Sequence, residues 1–315
     1  MSHNPPCAAL TYDAAQVNSL LATDRDGFIA CEEERYTLQV EHTAQAIADV
    51  TNGCQIVWMC GPSSVGKTTT AAMLCAALEA RGVAAFVISL DDFYRGIGKA
   101  DQLPDGRYDY ESPQALDLPL LHRCLTELMT TGETMLPHFD FQTGAPAPTR
   151  TLLRVQGNTV ILLEGIQAFS PLLTDGMDTT VLQHPLRLFI NTVTRFTDGD
   201  NMLLCRRDIR LARRLLRDER TRNSDFAATL AMWQGVLAGD EKHIFPYSAD
   251  ADFIINTAMG YEPCVLAGLL RDRLSVLGGT PHETTAKRLA AAFSRFTPLS
   301  PDAVPADSIL REFIG

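Results

Sequence analysis

The chain has 315 residues, 46% hydrophobic and 21% charged, enough for one large buried core or two smaller ones, which excludes fibrous, disordered and coiled-coil architectures. Its 38 acidic against 27 basic side chains leave a formal charge of -11, so bulk electrostatics draw in neither nucleic acid nor an anionic membrane. The basic residues are lopsided: only Lys67, Lys99, Lys242 and Lys287 are lysines, and the other 23 are arginines. Eight scattered cysteines form no C-x-x-C pair, which points to a reducing compartment and no structural metal. The first residues lack the basic start and apolar stretch of a signal peptide, and no apolar run approaches the ~18 residues of a membrane span. A cytoplasmic protein is expected.

In chain order, residues 1–50 read as an N-terminal helical extension: a polar start, then a helical pattern from Glu32 to Val50 stopped by Thr51-Asn52-Gly53. From Gln55 to Tyr261, short apolar runs alternate with helical patterns. The strands expected are 56–60, 84–90, 159–164, 186–191 and 252–256, nearly all apolar, as strands buried on both faces should be. This is an α/β pattern, a parallel sheet with helices on both faces. Residues 91–158 hold one helical pattern (115–130) and much loop, a length that usually carries function. After Glu262 come helices near 262–277 and 283–296 and a Pro-punctuated tail. The expected division is 1–50, a P-loop domain 51–262, and a helical extension 263–315.

Gly61-Pro62-Ser63-Ser64-Val65-Gly66-Lys67-Thr68 fits G-x-x-x-x-G-K-[ST], with an apolar strand before it and a helical run after it. Glycines let backbone N–H groups turn onto a phosphate, the helix points its positive end at the same anion, and Lys67 adds a mobile charge. Thr68 offers a hydroxyl to Mg²⁺, and Thr69 follows it at the helix start. An ATP-type nucleotide site with Mg²⁺ is therefore expected. Glu164 ends the third strand on the rim where open α/β sheets bind ligands, and can hold the metal or cap the helix that follows. Asp91 and Asp92 end the second strand on the same rim. Side chains alternate, so both cannot point inward, and one could take the proton of an acceptor hydroxyl. Spacing alone leaves an N-cap with a solvated neighbour equally open.

Between residues 206 and 222 lie eight arginines against Asp208, Asp218 and Glu219. Arg206, Arg210, Arg213 and Arg217 share one helical face beside an apolar stripe of Cys205, Ile209, Ala212 and Leu216. With few acids nearby to pair them, a phosphate-facing lid over about 195–238 is expected, one that excludes water from the transferring group.

Seven ordered blocks then carry a resemblance: GPSSVGKTT (61–69), SLDDFY (89–94), DGRYDYESPQALD (105–117), FDFQTG (139–144), ILLEGI (161–166), DIRLARRLLRD (208–218) and GDEKHIFPYSADADFIIN (239–256). Residues 55–262 resemble the uridine kinase and phosphoribulokinase family of P-loop kinases, and within it bacterial uridine-kinase-like nucleoside kinases. The resemblance implies Asp91 as general base on a sugar hydroxyl, Tyr94 in the nucleoside pocket, and Tyr110-Glu111-Ser112-Pro113 where the family has F-D-H-P, with Glu111 on the sugar. It implies Asp140 and Phe141 in the family's Y-D-F block, followed by Gly144-Ala145-Pro146 rather than a base-contacting histidine. It places lid residues Arg210, Arg213 and Arg217 on phosphates and leaves Arg214 as structural. The implied activity is ATP-dependent phosphorylation of a nucleoside hydroxyl. Another small hydroxyl acceptor, such as a sugar phosphate or a pantothenate-like compound, or a nucleotide-binding regulator without transfer, remains open, as does homo-oligomerisation.

Overall fold

The computed structural model describes residues 10–102, 106, 108–177 and 185–315. Five parallel strands, β1 (Cys54–Cys60), β2 (Ala84–Ser89), β3 (Thr159–Glu164), β4 (Leu186–Asn191) and β5 (Phe253–Asn256), lie in the order β5-β4-β1-β3-β2. All five expected strands form, with β1 starting two residues early, at Cys54. The pleat sorts their side chains: Val57, Met59, Val160 and Leu162 face one apolar cluster, and Ile56, Trp58, Ile161 and Leu163 the other. The strands after β1 divide to its two sides, β2 and β3 to one, β4 and β5 to the other. A crevice therefore opens at the carboxyl end of β1.

The first cluster is covered by α1 (Ala14–Val50), α2 (Lys67–Glu79), α4 (Arg206–Thr221), α6 (Glu262–Ser275) and α7 (Glu283–Phe293). The second is covered by α3 (Leu118–Thr131), through Leu121, Leu125 and Leu128. Helix α5 (Phe226–Gly239) follows α4 in the expected lid region. At the start of that region, before α4, Arg195–Asp198 pairs antiparallel with Asn201–Leu204, a short ribbon that buries Phe196 and Leu204 in the first cluster.

Helix α1 starts at Ala14 rather than Glu32. Asp13 caps it, accepting from Ala15 N at 2.9 Å. Within what was expected to be a polar start, Thr23-Asp24-Arg25-Asp26-Gly27 makes a break inside the helix: Asp24 is non-helical (φ -151°, ψ 67°), and its carboxylate accepts from Gly27 N at 3.1 Å and caps the second half. Val17, Ile29, Tyr36, Val40 and Ile47 are buried in the first cluster. Just before the helix, Thr11–Asp13 adds a parallel strand to the 195–204 ribbon. The proline-rich tail also packs, with Ile309, Leu310 and Phe313 buried and a last helical turn at Arg311–Ile314. Among the described residues no helix is long and apolar enough to cross a membrane.

Candidate active site

The chain leaves β1 at Cys60 and turns through residues 61–66 into α2. Ser64 (φ 62°) and Gly66 (φ 88°) are left-handed, the geometry that turns backbone N–H groups into one concavity. Gly66 is required twice over, by its φ and because a Cβ there would stand 2.4 Å from Ile309 Cδ1. Ser64 is strained and buried, and its hydroxyl has no hydrogen-bond partner among the described residues. Lys67 Nζ donates to Pro62 O at 3.3 Å, along the loop. Tyr36 of α1 braces the helix behind the cradle, its hydroxyl 2.8 Å from Thr70 Oγ1.

Thr68 Oγ1 donates to Glu164 Oε2 at 3.2 Å, so the two expected metal holders face each other across β1 and β3. The Asp91-Asp92 pair is divided by its partners. Asp92 Oδ1 accepts from Phe139 N at 3.0 Å and lies 3.8 Å from the His138 imidazole, which occupies it in the loop. Burial pushes the Asp91 carboxyl up from its ordinary range; Lys67 and Arg222 pull it back and Asp92 adds to the rise. Burial pushes Glu164 up as well, with Lys67 opposing and Asp91 reinforcing. A buried carboxyl, Glu164, and a half-buried one, Asp91, thus share one ammonium, a charge pattern that a divalent cation would relieve. Hard oxygen donors, few in number, suit Mg²⁺, which keeps most of its water and substrate oxygens. Among the described residues no group of three or more His, Cys, Asp or Glu could hold a metal by itself.

Beside Asp91 stands an aromatic wall. Tyr94 Oη donates to Tyr110 O at 2.9 Å, and Gln167 Nε2 donates to both Tyr94 Oη (3.2 Å) and Tyr110 O (3.3 Å). Tyr94 meets Tyr110 and Phe139 edge-on. Glu111 follows, packed so closely on α5 that a Cβ on Gly239 would lie 2.6 Å from its Cγ. Burial, with repulsion from Asp240, pushes the Glu111 carboxyl up to about 7 against the pull of Arg214 and Lys67. Asp140 and Phe141 stand apart from this wall. Asp140 closes its own turn on Gln142 N and Thr143 N, and Phe141 is 68% exposed, reaching Tyr94 only through Phe139. Asp105 and Arg107 of the resemblance block lie outside the described residues.

The arginine face of α4 is buried rather than presented to solvent. Arg210 and Arg213 are both 0% exposed. Arg213 is clamped by Glu262 at 2.5 and 2.8 Å, donates to Thr257 and Val65 carbonyl oxygens, and lies over the Phe313 ring. Its charge, expected on phosphate, is matched inside the protein by Glu262, behind the cradle. Arg210 Nε donates to Ser63 O at 3.0 Å, and Arg214 Nη1, set aside as structural on the resemblance, donates to Ser63 Oγ at 3.0 Å. These two bear on the cradle from the lid side. Arg217 is held by Asp218, at 2.7 Å. The acids missing from the local count come from distant elements, Asp240 and Glu262 above all.

Sequence reasoning also missed Gln167, one turn past Glu164, and Glu312 of the tail. Glu312 Oε2 accepts from Thr69 Oγ1 at 2.6 Å and from Thr69 N at 3.4 Å, which puts a carboxylate at the helix start where an anion is expected. No local signal marks a residue 243 positions from its partner.

Residues 56–260 match the Phosphoribulokinase / Uridine kinase family. The chain belongs to that family. The matched span carries the cradle, Asp91, Glu164 and α4. A uridine kinase of Saccharomyces cerevisiae is 28% identical over 204 residues, covering 64% of this chain and 36% of the yeast protein. Uridine-cytidine kinase A of Dictyostelium discoideum is 30% identical over 235 residues, covering 73% of this chain and 42% of that protein. The chain thus spans less than half the length of these relatives. The solved structure of a possible uridine kinase from Bacillus stearothermophilus aligns at a TM-score of 0.39 with 19% identity, over 48% of this chain and 78% of that one.

Proposed function

We propose that the protein transfers the γ-phosphoryl group of ATP to a hydroxyl of a nucleoside. The observation that carries this reading is the division of labour in the Asp91-Asp92 pair: Asp92 is tied to Phe139, while Asp91 shares Lys67 with Glu164 next to the cradle. A raised carboxyl is a better base near neutral pH, so Asp91 is suited to take the acceptor's proton as its oxygen attacks phosphorus. Lys67, Arg210 and Arg214 neutralise charge on the oxygens of the transferring group, and the ADP leaving group departs on the opposite side. Thr68 and Glu164 would hold Mg²⁺, which when bound offsets phosphate charge. Arg213 supports the cradle from behind through Val65 O. Tyr94, Tyr110 and Phe139 offer aromatic faces suited to a base, and relatives named uridine kinase or uridine-cytidine kinase favour a nucleoside.

Glu111 supports a second acceptor class, because its side chain is one methylene longer than the aspartate the family places on the ribose, which favours a smaller sugar or polyol. Labelled phosphate followed from ATP across uridine, cytidine, purine nucleosides, sugar phosphates and pantothenate separates the two. A labelled nucleoside monophosphate is expected. Label found only on a non-nucleoside acceptor, or only as inorganic phosphate, contradicts the nucleoside reading.

A further inference from the structure

Residues 240–243 carry four titratable side chains in a row, Asp-Glu-Lys-His, where α5 runs out into one π-helical turn, Asp240–Ile244. Such turns recur at functional sites. Each side chain finds its partner on another segment, and the partners divide between two of them. The acids hold α4: Asp240 stands 2.8 Å from Arg210, and Glu241 2.5 Å from Arg207. The basic pair holds the acceptor loop: Lys242 Nζ and His243 Nε2 lie 2.9 and 3.3 Å from Asp109 Oδ2, two residues before Glu111. Gly239, directly before the turn, is the residue against which Glu111 packs. One turn therefore touches both the arginine that bears on the cradle and the carboxyl of the acceptor wall.

Of these contacts only the Arg210–Asp240 pair is sealed from solvent, at 0% and 1% side-chain exposure. Its alignment is incomplete. Neither terminal nitrogen of Arg210 and neither carboxylate oxygen of Asp240 has a hydrogen-bond partner of good geometry among the described residues, and the buried Ser64 Oγ of the cradle has none either. A buried guanidinium held by a counter-charge, with donors left over beside the cradle, is short of an oxygen ligand, and a phosphate oxygen would supply it. Burial in turn requires the counter-charge to stay, because an unpaired guanidinium does not remain in an apolar interior.

Resting on the kinase reading above, we propose that Asp240 is the positioning residue that holds Arg210 at the cradle, and that the 240–243 turn couples filling of the acceptor pocket to that arginine. Asp240→Asn in the full chain keeps the shape and removes the counter-charge. Its kcat is expected to fall about 10–100-fold, the usual loss when a partner orienting a directly acting group is removed, while both KM values stay within about threefold. Combined with Arg210→Gln it should lower kcat no further than Arg210→Gln alone. A kcat within about twofold of the parent, or losses that multiply in the double variant, overturns the positioning role. Should Asp240→Asn fail to fold, Lys242→Met decides, since that side chain is 61% exposed. It should raise the acceptor KM about two- to fivefold, what an exposed ion pair is worth, with the ATP KM unchanged; an unchanged acceptor KM overturns the coupling. Failure of the underlying reading looks different: the parent protein itself would release no ADP in response to any acceptor.

Discussion

Replacing Glu111 by Gln should stabilise the protein at alkaline pH and leave it unchanged at acid pH. The folded carboxyl titrates near 7, against 4.5 for an ordinary glutamate, because burial and Asp240 both disfavour its charge while Arg214 and Lys67 only partly compensate, and Asp109 adds further repulsion. Below about pH 4.5 both folded and unfolded chains hold the proton and no penalty exists. Between there and pH 7 the unfolded chain releases the proton and the folded chain keeps it, so stability falls as pH rises; above pH 7 the penalty is complete. At about 1.4 kcal/mol for each tenfold change in proton affinity, the full penalty is about 3 kcal/mol. Residual solvent contact of this half-buried side chain reduces it to about 1–2 kcal/mol. A neutral amide removes that penalty, which corresponds to a rise in Tm of about 2–3 °C at pH 8 and none at pH 4.5. Thermal unfolding of parent and variant at half-unit pH steps measures it. A difference in Tm that does not depend on pH, or a variant less stable at pH 8, refutes the assignment of a raised carboxyl to Glu111.

Two further outcomes follow from partners that lie far apart in sequence. Glu262→Gln leaves the fully buried Arg213 without its counter-charge and should cost about 3–5 kcal/mol, seen as a fall in Tm of about 5–8 °C; a fall under about 2 °C would mean that Glu262 does not hold Arg213. Glu312→Gln removes a negative charge from the start of α2, so a non-hydrolysable ATP analogue should bind about 3–10-fold more tightly by calorimetry. Weaker or unchanged binding would mean that the carboxylate does not contest the nucleotide's place.

What was legible in the sequence is local. The five strands are short apolar runs, the cradle is an eight-residue motif flanked by strand and helix, and Glu164 and Asp91 sit at strand ends where the parallel sheet puts its ligands. What was not legible is pairing at long range. Counting acids near α4 suggested free guanidinium groups, yet Arg213 meets Glu262 across 49 positions and Arg210 meets Asp240 on the far side of α5. The same limit hid which arginines meet the cradle: a helical wheel ranks positions by angle, but that Arg210 and Arg214 reach Ser63 depends on how α4 is rolled against the 61–66 loop. The first half of α1 was hidden because Asp24 is both a break and a cap, so its polar surroundings read as loop. Asp140, placed by its block alone, has partners that the sequence does not show. Its carboxylate caps the turn it sits in and is held below the usual range by hydrogen bonds from Gln142 N and from the Thr143 hydroxyl and backbone N–H.

The central claim is that Asp91 activates an acceptor hydroxyl beside a working cradle. Its most direct test is Asp91→Asn, assayed for acceptor-dependent phosphate transfer and, separately, for binding of a non-hydrolysable ATP analogue. Transfer should fall about 10²–10⁴-fold, the range for loss of a general base, while analogue affinity stays within about threefold of the parent. Transfer at close to the parent rate with nucleotide still bound would contradict it.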